Sequence, residues 1–234
     1  MRVLVVTAVP VERDAVTRAS GPDRAVSVHT VPGAELHRAG PFDVVAGGAG
    51  PAAAAASAAF ALASDRYDLV ISAGIGGGFD GVAPVGSLVV AGRITAADLG
   101  AETPAGFVPV TDLGFGRVWH FPPRSLVKAV VAATRAVTGD ILTVSTVTGS
   151  AGHAAALLAA HPGAVAEAME GFGVAEAAAL TGVPCLEIRA ISNAVGPRDR
   201  DAWRIGDALT KLTEAFGKLT PVLEGWLHHD HSNT

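Results

Sequence analysis

Apolar, β-branched runs alternate with alanine-rich runs along most of this chain, and that alternation limits the fold more than any other feature. Residues 2–7, 43–46, 68–73, 85–94, 141–146 and 185–192 read as buried strands. Residues 12–20, 52–64, 125–138, 151–160, 164–180 and 201–227 read as helices, the last weakened by Gly206, Gly217 and Pro221. Strands and helices in turn predict an α/β sheet with both faces covered, a three-layer α/β/α arrangement. Strand tips in such sheets gather the chemistry. Gly47-Gly48-Ala49-Gly50 forms a turn, and Pro51 suits the first position of the helix that follows. Neither a linker nor an internal repeat interrupts the pattern. One domain over residues 1–227 is expected, with 228–234 as an exposed, mobile end.

Composition narrows the partners. Half of the 234 residues are apolar, 17% are charged and the formal net charge is -5. No Lys/Arg run exceeds two residues, so neither nucleic acid nor an anionic membrane is an expected partner. Residues 44–64 are uncharged and long enough to flag a membrane span, but Gly47, Gly48, Gly50 and Pro51 break the run. Charged residues follow residues 3–11 at once, unlike a secretory signal. Cys185 is the only cysteine. That fits a reducing cytoplasm, and its setting in Val183-Pro184-Cys185-Leu186 predicts a structural role.

Several familiar sites are missing. The first strand runs into Ala8-Val9-Pro10, which has no dinucleotide-type glycines. No phosphate-loop lysine, H-E-x-x-H, cysteine pair or nucleophile elbow occurs. A metal or other cofactor is therefore not expected, and the His228-His229-Asp230-His231 run reads as part of the exposed end. Gly74-Ile75-Gly76-Gly77-Gly78 holds more glycine than one turn needs. It suggests a backbone that approaches a flat ligand closely. Three polar residues stand out singly: Glu12 past the first strand, Glu170 within residues 164–180, and Asn193 past the last strand. Each also has a plain explanation: a helix start, a solvent-facing side chain, a turn cap.

Together these segments resemble a known family. Val5-Val6-Thr7-Ala8-Val9-Pro10-Val11-Glu12, Ser72-Ala73-Gly74-Ile75-Gly76-Gly77, Met169-Glu170-Gly171 and Arg189-Ala190-Ile191-Ser192-Asn193 occur in the order seen in purine nucleoside phosphorylases and 5'-methylthioadenosine/S-adenosylhomocysteine nucleosidases. The resemblance runs from residue 1 to about 220. The flanks Glu12-Arg13-Asp14 and Asn193-Ala194-Val195-Gly196-Pro197-Arg198-Asp199 are similar to the futalosine hydrolase subgroup, nucleosidases of the menaquinone pathway. The resemblance implies a strongly curved mixed sheet and a homo-oligomer with sites near subunit interfaces. It implies that Glu12 handles the attacking water, that Glu170 holds the ribose hydroxyls, and that Met169 packs near the sugar. Methylthioadenosine nucleosidases carry aspartate where this chain has Asn193. They also carry a base-stacking Phe that has no counterpart in Val144-Ser145-Thr146-Val147-Thr148-Gly149.

N-glycoside cleavage builds positive charge on the sugar and negative charge on the base. A carboxylate must deprotonate water, a donor must steady the purine near N7, and the sugar must be fixed. Glu12, Asn193 and Glu170 suit those tasks in turn, with Gly74, Gly76 and Gly77 as the backbone that approaches the substrate. The segment Gly76-Gly77-Gly78 has no hydroxyl to hold phosphate, which favours water as the nucleophile. Futalosine carries a carboxylate on its benzoate arm, and Arg198 is the first candidate to bind it, ahead of Arg117 and Arg204. A purine nucleoside phosphorylase, a methylthioadenosine nucleosidase and a non-catalytic nucleoside-binding protein are the alternatives.

Overall fold

The computed structural model describes residues 1–21 and 25–230, the last four of these by backbone alone. Chain order gives β1 (Val3–Thr7), α1 (Pro10–Arg18), β2 (Ser27–Val31), β3 (Ala34–Ala39), β4 (Phe42–Ala46), α2 (Pro51–Ser64), β5 (Leu69–Gly78) and β6 (Leu88–Ala96). Then come β7 (Gly100–Thr103), β8 (Gly106–Pro109), β9 (Trp119–His120), α3 (Arg124–Thr134), β10 (Val137–Thr143) and α4 (Ala151–Ala160). The chain finishes with β11 (Ala164–Ala168), α5 (Gly171–Thr181), β12 (Cys185–Ala194), a 3₁₀ turn at Arg200–Ala202, and α6 (Ile205–Asp230).

Among the described residues, ten strands form one sheet in the order β11-β10-β6-β12-β5-β1-β4-β3-β2, with β9 beside β6. Neighbours β1–β4, β1–β5, β5–β12, β6–β10 and β10–β11 run parallel, while β6–β12 runs antiparallel. The far strand β11 also pairs antiparallel with the end of β5. A sheet whose edge returns to its own middle is strongly curved, and the mixed, curved sheet expected from the sequence is present.

Alternation along β1 shows how the layers form. Val3 and Val5 join a core with α1, α3 and α6, which includes Ala15, Leu126 and Phe216. Leu4 and Val6 point the other way, to Ala54, Ala58 and Ala61 of α2 and Val174 and Ala178 of α5. Period-two side chains of one strand thus feed two helical layers. Small residues set the second layer's spacing. A Cβ on Gly173 would come within 2.1 Å of the Pro51 carbonyl oxygen, so α5 meets the start of α2 backbone to backbone.

Several elements differ from the sequence reading. Residues 164–180 are not one helix: β11 fills Ala164–Ala168, and α5 begins only at Gly171. Alanine favours helix, but lateral pairing to β10 and β5 overrides that preference. Glu170 therefore precedes a helix rather than lying inside one. Residues 125–138 also divide, with α3 stopping at Arg135 in the left-handed region (φ 60°) before β10. The cluster at Gly74–Gly78 is not a turn after β5 but its second half, paired to β12. Two hairpins, β2–β3 and β7–β8, were not anticipated. The tail expected at 228–234 starts within α6, and residues 231–234, His231 included, lie outside the described residues. No described helix is long and apolar enough to cross a membrane.

Candidate active site

Six chain segments converge on one cavity of about 320 Å³, at the end of the sheet where β1, β5 and β12 finish. Glu12, Gly76, Gly77, Met169, Glu170, Asn193 and Arg198 line it. Gly74, also singled out from sequence, does not line it. It lies beneath the lining, and a Cβ there would fall 2.6 Å from Glu12 Oε1 and 2.8 Å from Arg189 Nη1. Its glycine character makes room for two charged side chains.

Glu12 is the third residue of α1, whose first residue is Pro10. Its Oε2 accepts the Ala8 and Val9 amides at 3.0 and 3.2 Å, and its Oε1 accepts the Ile75 amide at 2.8 Å. The plain role foreseen for it, starting a helix, is real: it holds the amide of the residue before Pro10. It does so while only 3% exposed, at the wall of the cavity. Burial pushes its carboxyl above the ordinary value, against the pull of the Ile75 amide and of Arg189. A carboxylate of raised basicity, fixed by three amides and facing a cavity, has the character of a general base.

Glu170 stands between β11 and α5. It makes no side-chain cap; the Phe172 amide is met instead by the Thr143 hydroxyl, 2.9 Å away. The Glu170 carboxylate is thus left to accept the Gly50 amide at 3.2 Å and to pair with Arg189 Nη1 at 3.1 Å. The position of Gly50 follows from its turn, with φ at 91°, and from Pro51 opening α2.

Arg189, on β12, underlies both acids. It is 1% exposed and donates through Nε to Glu187 Oε1 and through Nη2 to Ser72 Oγ, each at 3.0 Å. Glu187, Glu170 and Glu12 together hold its guanidinium in the charged form against burial. Its role was not read from the sequence, although Arg189 belongs to the quoted Arg-Ala-Ile-Ser-Asn segment. A lone arginine in an apolar strand was the available signal, since a buried charge demands partners. Glu187 was missed for the same reason. It is fully buried, and its pKa is pushed up to about 7 by that burial, with Arg189 opposing.

Asn193 is the last residue but one of β12 and lies opposite Gly77. Its Oδ1 accepts the Ser192 hydroxyl at 2.8 Å, and its Nδ2 donates to the Ala194 carbonyl at 3.0 Å. These contacts orient the amide and leave one N–H for a ligand. Val147, Thr148, Glu167 and Val195 share this end of the cavity. At the mouth, Arg198 lies over the Trp203 ring, 5.4 Å from its centroid, with Arg200 at 5.8 Å. Arg117 and Arg204 do not line the cavity and are paired with Glu176 and Asp207. Cys185 opens β12 away from the cavity, packed against two cores, and burial raises its thiol far above the usual range.

Comparison with known proteins agrees with this construction. The profile of the Phosphorylase superfamily matches residues 3–223. A futalosine hydrolase from Streptomyces coelicolor is 63% identical, covering 98% of this chain and 100% of its own. One from Acidothermus cellulolyticus is 46% identical over 92% and 89%. Among solved structures, the native futalosine hydrolase of Helicobacter pylori superposes with a TM-score of 0.81 at 16% identity, covering 96% of this chain and 98% of that one. A methylthioadenosine/S-adenosylhomocysteine nucleosidase from Colwellia psychrerythraea, in complex with adenine, gives 0.79 at 23% identity over 96% and 95%. At those identities the structures speak for the fold alone. The sequence relatives say more: matched along almost its whole length, the chain belongs to the futalosine hydrolase family of the Phosphorylase superfamily.

Proposed function

We propose that this chain is a nucleosidase that hydrolyses the N-glycosidic bond of futalosine and releases hypoxanthine, within menaquinone biosynthesis. The observation that carries the reading is the pairing, in one cavity, of the amide-clamped Glu12 with the Arg189-held Glu170. Water attacks C1' of the ribose as the bond to N9 breaks and its electron pair moves into the purine. Glu12 takes the proton that water loses. Glu170 has lone pairs left for the 2' and 3' hydroxyls, and Met169 packs beside the sugar. Asn193 gives its free N–H to the N7 and O6 side of the base, where negative charge collects. A neutral amide with a free donor suits the acceptors of a 6-oxopurine.

The Gly76-Gly77-Gly78 backbone lies against β11 and β12 and carries no hydroxyl for phosphate. That supports water over phosphate as the nucleophile. Arg198 reaches the mouth of the cavity backed by Trp203, in a position to pair with the carboxylate of the benzoate arm. A homo-oligomer accounts for Phe107, Phe115, Trp119 and Phe121, large apolar side chains exposed along one stretch of the chain. The cytoplasm is the compartment that suits a chain with one unpaired cysteine. Incubation with futalosine, inosine and methylthioadenosine, followed by identification of the released base, tests the reading. Hypoxanthine from futalosine at the highest kcat/KM supports it. Adenine from methylthioadenosine at a higher kcat/KM overturns it.

A further inference from the structure

Glu167 is a carboxylate that the hydrolysis leaves unused. It is 5% exposed, yet it lines the active-site cavity. It lies on β11 opposite Gly77 of β5, and Gly77 in turn lies opposite Asn193 of β12. Laterally paired residues project to the same side of a sheet, so Glu167 and Asn193 face each other across a residue without a side chain. With strands about 4.8 Å apart, their Cα atoms are separated by roughly 10 Å. Both side chains line the cavity, and the part of it between them forms a slot. A Cβ on Gly77 would lie 2.9 Å from Val195 and 3.3 Å from Asn193 Nδ2, so any larger residue closes that slot.

Both oxygens of Glu167 are oriented by one residue. The Thr148 amide donates to Oε1 at 2.8 Å, and the Thr148 hydroxyl donates to Oε2. Each oxygen keeps a lone pair for the cavity. The same contacts occupy the Thr148 amide, a donor on the cavity wall that an unprotonated ring nitrogen could otherwise use. The slot therefore offers a donor at the Asn193 end and acceptors at the Glu167 end.

Building on the nucleosidase reading above, we propose that Glu167 is a specificity-determining residue that accepts the N1–H of a 6-oxopurine, while Asn193 meets the N7 and O6 side of the same base. A 6-oxopurine presents acceptors at N7 and O6 and a donor at N1, which matches the slot in order. A 6-aminopurine has a bare lone pair at N1, which sets acceptor against acceptor at Glu167. Its amino group also sets donor against donor at Asn193.

The test compares kcat/KM for futalosine, its 6-amino counterpart and its N1-methyl derivative. The proteins are wild type, Glu167→Gln and Glu167→Ala, and hypoxanthine release from futalosine by the wild type is the control. The wild type is expected to disfavour the N1-methyl compound by roughly tenfold to a hundredfold, the cost of one unpaired buried polar group, and the 6-amino compound, mismatched at both ends, by at least as much. Glu167→Gln can turn its amide to serve either base and should bring the 6-oxo to 6-amino ratio close to one. Glu167→Ala should lose discrimination at N1, accepting the N1-methyl compound as readily as the parent. A wild type that cleaves the N1-methyl compound as fast as futalosine overturns the role without any variant. So does a variant in which all three substrates fall by the same factor, which is the mark of a merely structural residue. Absence of hypoxanthine release by the wild type would instead remove the nucleosidase reading and this one with it.

Discussion

Glu12 Oε1 accepts the Ile75 amide at 2.8 Å, joining residues 63 positions apart in sequence. The turn after β1 and the glycine-rich half of β5 are locked together by the side chain proposed to activate water. The clamp leaves Glu12 little freedom, and burial above it leaves the carboxylate more basic than usual. Fixed position and raised basicity are what a general base needs.

Glu12→Gln should still fold, because the amide oxygen can accept from Ile75, at a cost of about 1–3 kcal/mol where its NH₂ faces the Ala8 and Val9 amides. Its turnover should fall by about 10²–10⁴-fold, the usual contribution of a general base. In the wild type, kcat/KM should decline on the acid side as Glu12 takes up a proton. Because burial raises its pKa, that decline should begin above the pH expected for an exposed carboxylate. Turnover of the variant near the wild-type rate, or an acid limb at the ordinary carboxylate position, would remove Glu12 from the role.

Asn193→Asp should move the base preference from hypoxanthine towards adenine. A protonated aspartate can give a proton to N7 and accept from the amino group, whereas an ionised one opposes O6 with lone pairs. The swing in the kcat/KM ratio for matched nucleosides should be roughly tenfold to a hundredfold. The Ser192 hydroxyl already donates to Oδ1 and would hold that oxygen in either residue. An unmoved ratio would show that Asn193 does not read the base.

Arg198→Ala should weaken futalosine and spare inosine, which lacks the benzoate arm. A charge-assisted hydrogen bond is worth about 1.5–3 kcal/mol, so kcat/KM for futalosine should fall by roughly tenfold to a hundredfold. Arg204→Ala is the control, since Arg204 pairs with Asp207 outside the cavity. Equal losses on both substrates would assign Arg198 to structure rather than to the carboxylate.

Glu187 predicts a pH dependence of stability. Arg189 is ringed by Glu187, Glu170 and Glu12, more acid than one guanidinium neutralises. Oε2 of Glu187 has no hydrogen-bond partner among the described residues, and a Cβ on Gly171 would fall 2.1 Å from it. The folded pKa, about 7, exceeds the ordinary 4.5, so the folded state binds the proton more tightly than the unfolded one. Its contribution is full below the ordinary value and is lost as pH rises towards 7, a swing of roughly 3 kcal/mol at most. Glu187→Gln, uncharged throughout, should flatten the fall in Tm over that window by several degrees. Parallel curves for variant and wild type would contradict the assignment.

Much of this was legible in the residues. The runs at residues 2–7 and 68–73 announced buried strands because both faces of the sheet are covered, and Pro51 marked a helix start. Glu12, Glu170 and Asn193 were recognisable as a set through resemblance, and the fold brings all three to one cavity. Glu167 was hidden by its surroundings. Ala164–Ala168 carries alanines that favour a helix, and only pairing to distant β10 and β5 makes it a strand. Read as a helix, it gives Glu167 no neighbour across Gly77. Arg189 and Glu187 were overlooked because Glu12, Ser72 and Glu170, which complete their network, come from three other segments. Their contacts depend on how those segments pack, which no local pattern encodes.

Water as the nucleophile is the central claim, and isotope labelling tests it most directly. Futalosine would be cleaved in H₂¹⁸O buffer, with and without inorganic phosphate, and the sugar product analysed by mass spectrometry. The account predicts hypoxanthine release at the same rate in both buffers and one ¹⁸O atom at C1' of the sugar. Release that requires phosphate, with a sugar 1-phosphate and no label at C1', would contradict it.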